Sequence, residues 1–160
     1  MPNNTQFKIV LNAPEIPGNT GSIGRTCVAL NLELILIKPL AFDISEKAVR
    51  RAGLDYWKYV KLKTYESWEE FLQLEKPLQE QMYFFSKNAQ KIHYAGEYKK
   101  DCYLIFGAET KGLPTHFFQE YPERFYSLPM FSQEIRSLNL AAAATAVSFE
   151  VVRQLNYQAR

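Results

Sequence analysis

LIFGAETKGLP, residues 104–114, is an apolar run that stops at Gly107, carries an acid at Glu109, and closes with Gly112 and Pro114. A short run rich in Leu, Ile and Phe that ends abruptly in glycine reads as a buried strand followed by a turn. Gly107 at its end lets another backbone or a ligand approach closely. Glu109 then stands at the carboxyl edge of a parallel sheet, where open α/β folds bind ligands. An acid at the start of a helix would give the same letters. The stretch is not a phosphate loop, because Leu113 and Pro114 follow Gly112 where the lysine and hydroxyl are required.

Working outward, FKIVLN (7–12), ELILIK (33–38), QMYFFS (81–86) and RFYSL (124–128) have the same character as CYLIF (102–106). Helical patterns separate them over 19–31, 44–53 after Asp43 or Ser45 as cap, 66–75, and about 138–156. Strands of nearly uniform apolarity alternating with helices predict an α/β fold, a mostly parallel sheet with helices on both faces. The 160 residues make one domain, and 47% hydrophobic residues suffice for its core. No apolar run approaches the roughly 20 residues of a membrane helix and no apolar leader opens the chain, so it reads as soluble and cytoplasmic, without a membrane partner. Cys27 and Cys102 have neither disulfide nor metal spacing and read as reduced packing residues.

A second turn, EIPGNTGSIGRTC (15–27), spaces its glycines G-x-x-G-x-x-G. That is not a dinucleotide fingerprint, and the following strand ends in Lys38-Pro39 without the acid that would hold a ribose. Asn19 or Thr20 can cap the helix that follows. Asn19 and Arg25, six apart, point to opposite sides of a regular helix unless Asn19 lies in the loop before it. A third turn, LPMFSQEIRSLNLAAA (128–143), crowds Ser132, Ser137 and Asn139 at the entry to the last helix. No G-x-S-x-G surrounds Ser137, and His93 and His116 are the only histidines, so a serine hydrolase is a poor reading.

The net charge of +2 permits RNA without demanding it. Lys47, Arg50, Arg51, Lys58, Lys61 and Lys63 gather in one stretch with Tyr56, Trp57 and Tyr59. Cations on phosphates and rings on bases would explain it, and so would a solvated face with its rings in the core. The last helix carries one apolar stripe at Leu140, Ala144, Val147, Val151 and Leu155 and a second around Phe149 and Val152. A homodimer covering the second stripe is the economical explanation; a helix wedged between two layers of one domain would look the same.

Taken together, NTGSIGR (19–25), LIFGAETKGLP and IRSLNLAAAATA (135–146) resemble, in order, the three motifs of SPOUT-class RNA methyltransferases. With RRAGLDYW (50–57) and no extension domain, the chain most resembles the minimal tRNA (cytidine/uridine-34) 2′-O-methyltransferase family. The resemblance implies one SPOUT domain over 1–160, with a cofactor-binding part over about 81–156 threaded as a deep trefoil knot. It also implies a homodimer packed through the first and last helices, an S-adenosyl-L-methionine cofactor leaving as S-adenosyl-L-homocysteine, no metal, and the tRNA anticodon stem-loop as substrate. Phe85, Gly107, Leu128 and Ser137 match the cofactor-lining positions, with Met130 and Leu138 as neighbours. Arg25 matches the catalytic arginine, and Asn19, Glu109 and Asn139 match its polar support, Glu109 orienting Arg25 or the helix start. Ala141 stands where a serine is common in the family. Action on ribosomal RNA or another tRNA position, a non-catalytic RNA-binding or assembly role, and, less favoured because nothing in the chain suggests a closed substrate pocket, a small-molecule methyltransferase are the competing readings.

Overall fold

The computed structural model describes residues 5–51 and 54–157. Six parallel strands form one sheet in the order β3-β2-β1-β5-β4-β6. They are β1 (Phe7–Asn12), β2 (Glu33–Ile37), β3 (Lys61–Tyr65), β4 (Met82–Phe85), β5 (Cys102–Phe106) and β6 (Phe125–Tyr126). The helices are α1 (Pro17–Leu30), α2 (Glu46–Arg51), α3 (Trp68–Glu75), α4 (Phe117–Glu120) and α5 (Leu140–Asn156).

Alternate residues of each central strand serve two separate cores. Phe7, Ile9, Leu11, Leu34, Leu36, Leu104 and Phe106 meet Ile23 and Cys27 of α1 and Ala144, Val147 and Val151 of α5 on one face. Val10, Ile35, Ile37, Tyr103 and Ile105 meet Trp68 and Phe71 of α3 and Phe117 and Tyr121 of α4 on the other. Burial on both sides is why these strands read as continuous apolar runs. The second core is aromatic: Trp68 lies 4.7 Å from Phe117 between ring centroids, and its Nε1 donates to Tyr121 Oη at 3.1 Å. Cys27 and Cys102 are free and buried, and burial pushes each thiol up to about 12.

Chain order reverses between β1 and β5. From β1 the chain leaves through α1 toward β2, and from β5 through α4 on the opposite face. The loops after these two strands meet at the sheet's carboxyl edge, the expected ligand position in an open α/β sheet.

Several expectations need correction. β3, within KLKTY, was not foreseen: it is an edge strand whose Lys63 and Thr64 are exposed, so it lacks the apolar signature of its neighbours. Helix α1 begins at Pro17, not at residue 19, so Asn19 is its third residue rather than a loop residue. Neither Asn19 nor Thr20 caps it; the cap position is Ile16, which makes no side-chain cap bond. Ser45 receives Ala48 N at 3.3 Å and Ser67 receives Glu70 N at 3.1 Å, and these short polar residues set the entries to α2 and α3. On α5 the second stripe divides, with Val152 packed on the core and Phe149 53% exposed. Ala52 and Gly53 of RRAGLDYW, and the side chain of Arg50, lie outside the described residues. No helix among those residues is long and apolar enough to cross a membrane.

Candidate active site

At this edge, Glu109 is gripped by the start of α1. Its carboxylate accepts Glu15 N at 2.7 Å, Ile16 N at 2.7 Å and Asn19 Nδ2 at 3.2 Å. A helix beginning with Pro17 has no side-chain cap of its own, and a carboxylate from 93 residues away supplies the anion its N-terminus favours. The clamp is reciprocal: Thr110 donates its backbone N–H at 3.0 Å and its Oγ1 at 2.8 Å to Glu15 Oε1. These Thr110 bonds hold the Glu15 carboxyl below its ordinary range.

Asn19 extends the network, its Oδ1 accepting Asn139 Nδ2 at 3.0 Å. Asn139 is itself the N-cap of α5, and its Oδ1 accepts Ala142 N at 3.1 Å. Glu109, Asn19 and Asn139 thus tie the three turns together, each polar atom holding the start of a helix or the next member. Gly107 explains the abrupt strand end. A Cβ there would lie 2.2 Å from Gly112 C and 2.3 Å from Leu113 N, so the turn closes on backbone that a side chain would displace. Gly112, at φ +69°, makes the return by donating its N–H to Ala108 O at 2.8 Å.

The expected cofactor positions differ in their surroundings. The Phe85 ring is core, stacked on Phe106 at 4.9 Å, so what that strand end offers a ligand is backbone. Leu128 and Met130 are half-buried, whereas Ser137 and Leu138 are exposed in the segment entering α5. Leu128 and Leu138 share a groove of ≈ 370 Å³ with His93, Pro129, Phe149 and Glu150; Phe85, Gly107, Met130 and Ser137 do not line it. The sequence offers His93 only as a candidate hydrolase base. It is 2% exposed, its Nδ1 has no hydrogen-bond partner, and burial lowers its basicity against an opposing pull from Glu150. The sequence around His93 does not signal this environment, because Ser127 and Glu150, which act on it, lie far along the chain.

Arg25 is not part of the Glu109 cluster. At roughly 100° per residue it points away from Asn19, and it is exposed with its guanidinium 5.4 Å from the Tyr56 ring centroid. Of the two roles foreseen for Glu109, the structure places it at the helix start and not beside Arg25 of its own chain. The basic-aromatic stretch likewise divides. Lys63 is taken up by Glu75 at 3.2 Å and Glu33 at 3.4 Å, Lys61 by Asn31 at 2.7 Å, and Trp57 packs on the core. Lys58 and Tyr59 remain exposed.

Comparison with known proteins adds chemistry to this geometry. The model of the SpoU rRNA Methylase family matches residues 6–149. A Saccharophagus degradans protein named tRNA (cytidine(34)-2′-O)-methyltransferase is 38% identical, covering 94% of this chain and 97% of its own. A solved structure described as giving insights into the 2-OH methylation of C/U34 on tRNA is 37% identical with a TM-score of 0.85, covering 95% of this chain and 97% of its own. The SpoU methyltransferase AviRb from Streptomyces viridochromogenes, solved in complex with the cofactor AdoMet, is 25% identical with a TM-score of 0.76, covering 96% of this chain and 62% of its own.

Proposed function

The chain belongs to the SpoU rRNA methylase family, and from that premise we propose that it methylates the ribose 2′-OH of the wobble nucleotide of tRNA, cytidine or modified uridine 34, using S-adenosylmethionine. The preferred substrates are leucine isoacceptors, engaged through the anticodon stem-loop by a cytoplasmic homodimer. The observation that carries the reading is the Glu109–Asn19–Asn139 network, which joins all three turns that the family resemblance singles out.

The residues present fit the cofactor. At Gly107 the strand end turns back on its own backbone with no room for a side chain, so a ligand at that edge meets main chain, suited to the edge of an adenine. Leu128, Met130 and Leu138 would supply apolar contact to the cofactor, and Ser137 a hydroxyl. When bound, S-adenosylmethionine supplies an electrophilic methyl group and leaves as S-adenosylhomocysteine. The reading includes knotted threading of the C-terminal part, about 81–156, of a single domain spanning 1–160.

A ribose hydroxyl is a weak nucleophile at neutral pH, so the chain's task is to orient it and ease loss of its proton. Arg25 serves as donor rather than base, since a guanidinium is not deprotonated in proteins. It holds the adjacent phosphate and stabilises the developing alkoxide, while phosphate or water takes the proton. Glu109, Asn19 and Asn139 act through position, fixing the starts of α1 and α5. In this arrangement Arg25 of one subunit serves the cofactor turns of the other, and the exposed Phe149 is covered by the second copy.

Incubating the protein with S-adenosylmethionine and total tRNA from a strain lacking its gene, then mapping 2′-O-methyl nucleosides by mass spectrometry, tests this. The expected product is a methyl group at position 34 of leucine tRNAs. Methylation of ribosomal RNA with none at any position 34 overturns the reading.

A further inference from the structure

The G-x-x-G pair Gly21 and Gly24 on α1 takes no part in the site above. Both are buried, and both face the segment 54–60. A Cβ on Gly21 would lie 2.9 Å from Leu54 Cδ1, and one on Gly24 would lie 2.6 Å from Trp57 Cζ3. Only a bare helix face lets this segment settle so close. Tyr56 fastens it, its hydroxyl donating to Gly21 O at 2.8 Å, and the short 3₁₀ turn that follows is closed by Val60 N on Trp57 O at 3.0 Å. Trp57 and Val60 pack inward on the core.

This fixed seat determines what points outward. Arg25 lies over the Tyr56 ring, and the Lys58 ammonium lies 5.2 Å from the centroid of Tyr59, whose side chain is 64% exposed. Two aromatic rings, each accompanied by a cation, are thus held on one seat with Asp55 as the only acid of the segment. A rigid exposed ring beside a cation suits unpaired nucleotides, because every base has a face to stack and every linkage a phosphate. A protein partner has no such repeating pair of demands.

We propose that the 54–60 segment is a single-stranded RNA contact, the Tyr59 ring stacking on an unpaired base near the target nucleotide and Lys58 holding a neighbouring phosphate. This rests on the tRNA reading above and deepens it by naming the surface that receives the loop. The Arg25–Tyr56 pair on the same seat places the contact beside the reacting ribose. Neither Lys58 nor Tyr59 belongs to the network of Glu109, Asn19 and Asn139, so both can be changed without disturbing it.

The test uses the full chain and a fluorescently labelled anticodon stem-loop, followed by anisotropy over a range of salt concentrations. Tyr59→Ala is expected to weaken binding about tenfold, with Tyr59→Phe within about twofold of the parent, the pattern of stacking rather than hydrogen bonding. Lys58→Ala is expected to lower the slope of log affinity against log salt by about 0.7, the loss of one single-strand phosphate contact. Cofactor affinity and sedimentation stay unchanged in all three. Binding by Tyr59→Ala equal to the parent overturns the inference, as does a change in its sedimentation, which assigns the ring to contact between copies. A parent protein that binds the stem-loop no better than an unrelated duplex overturns the tRNA reading itself.

Discussion

Replacing Glu109 by alanine removes one carboxylate and strands three donors. Two are backbone N–H groups, Glu15 and Ile16, each 2.7 Å from an oxygen; the third is Nδ2 of Asn19, a residue 8% exposed. Ile16 is 47% exposed, so water replaces its partner at small cost. Glu15 N is partly buried and Asn19 more so, and hydrogen bonds to a charged acceptor contribute about 1.5–3 kcal/mol, with more lost when a buried donor is left unmade. Counting the Ile16 bond at little and the other two at the low end gives a loss of about 3 kcal/mol for Glu109→Ala. Glu109→Gln keeps one acceptor oxygen but turns an NH2 toward a donor, and should cost about half as much. Urea unfolding followed by circular dichroism measures both, provided the denaturant slope stays constant. A loss below about 0.5 kcal/mol for Glu109→Ala would refute the view that this carboxylate caps α1.

Gly107→Ala should lower stability by more than about 3 kcal/mol and weaken S-adenosylmethionine binding at least tenfold, because its Cβ meets backbone that cannot step aside; thermal melting and calorimetry check the two effects. Ser137→Trp should leave the melting temperature unchanged, as Ser137 is exposed, while abolishing cofactor binding by calorimetry. His93 has its folded pKa lowered by burial, so the unfolded chain takes up the proton first. The stability its neutral form contributes is complete above roughly pH 6.5 and is lost as pH falls below that value. Glu15, Glu75 and Glu150, all shifted downward, act at more acid pH. Urea midpoints from pH 7 to 5.5 should therefore fall in the parent and stay nearly level in His93→Gln, and parallel curves would dismiss the assignment.

The central strands could be read from sequence because both of their faces are buried, which leaves no polar residue to interrupt ELILI or CYLIF. The edge strand KLKTY could not, since an edge is kept soluble by the lysines that hide the pattern. Sequence spacing began the last helix at about 138, two residues early, without singling out Asn139 as its cap, and it misplaced the start of α1, whose acceptor comes from Glu109 of another loop. The same non-local origin hid His93. Helical spacing alone did separate Arg25 from Asn19, and their separation follows once Asn19 is inside the helix rather than before it. Val152 and Phe149, read as one stripe, part company because they lie three positions apart at the margin of the buried face.

The proposed function stands or falls on methyl transfer to the ribose 2′-oxygen of nucleotide 34. Two anticodon stem-loops, identical except for ribose or 2′-deoxyribose at nucleotide 34, incubated with methyl-labelled S-adenosylmethionine, test it most directly. Label is expected in the ribose substrate alone, and is lost when Arg25 is replaced by alanine. Equal label in the deoxy substrate would move the methyl group to another atom or position and contradict it.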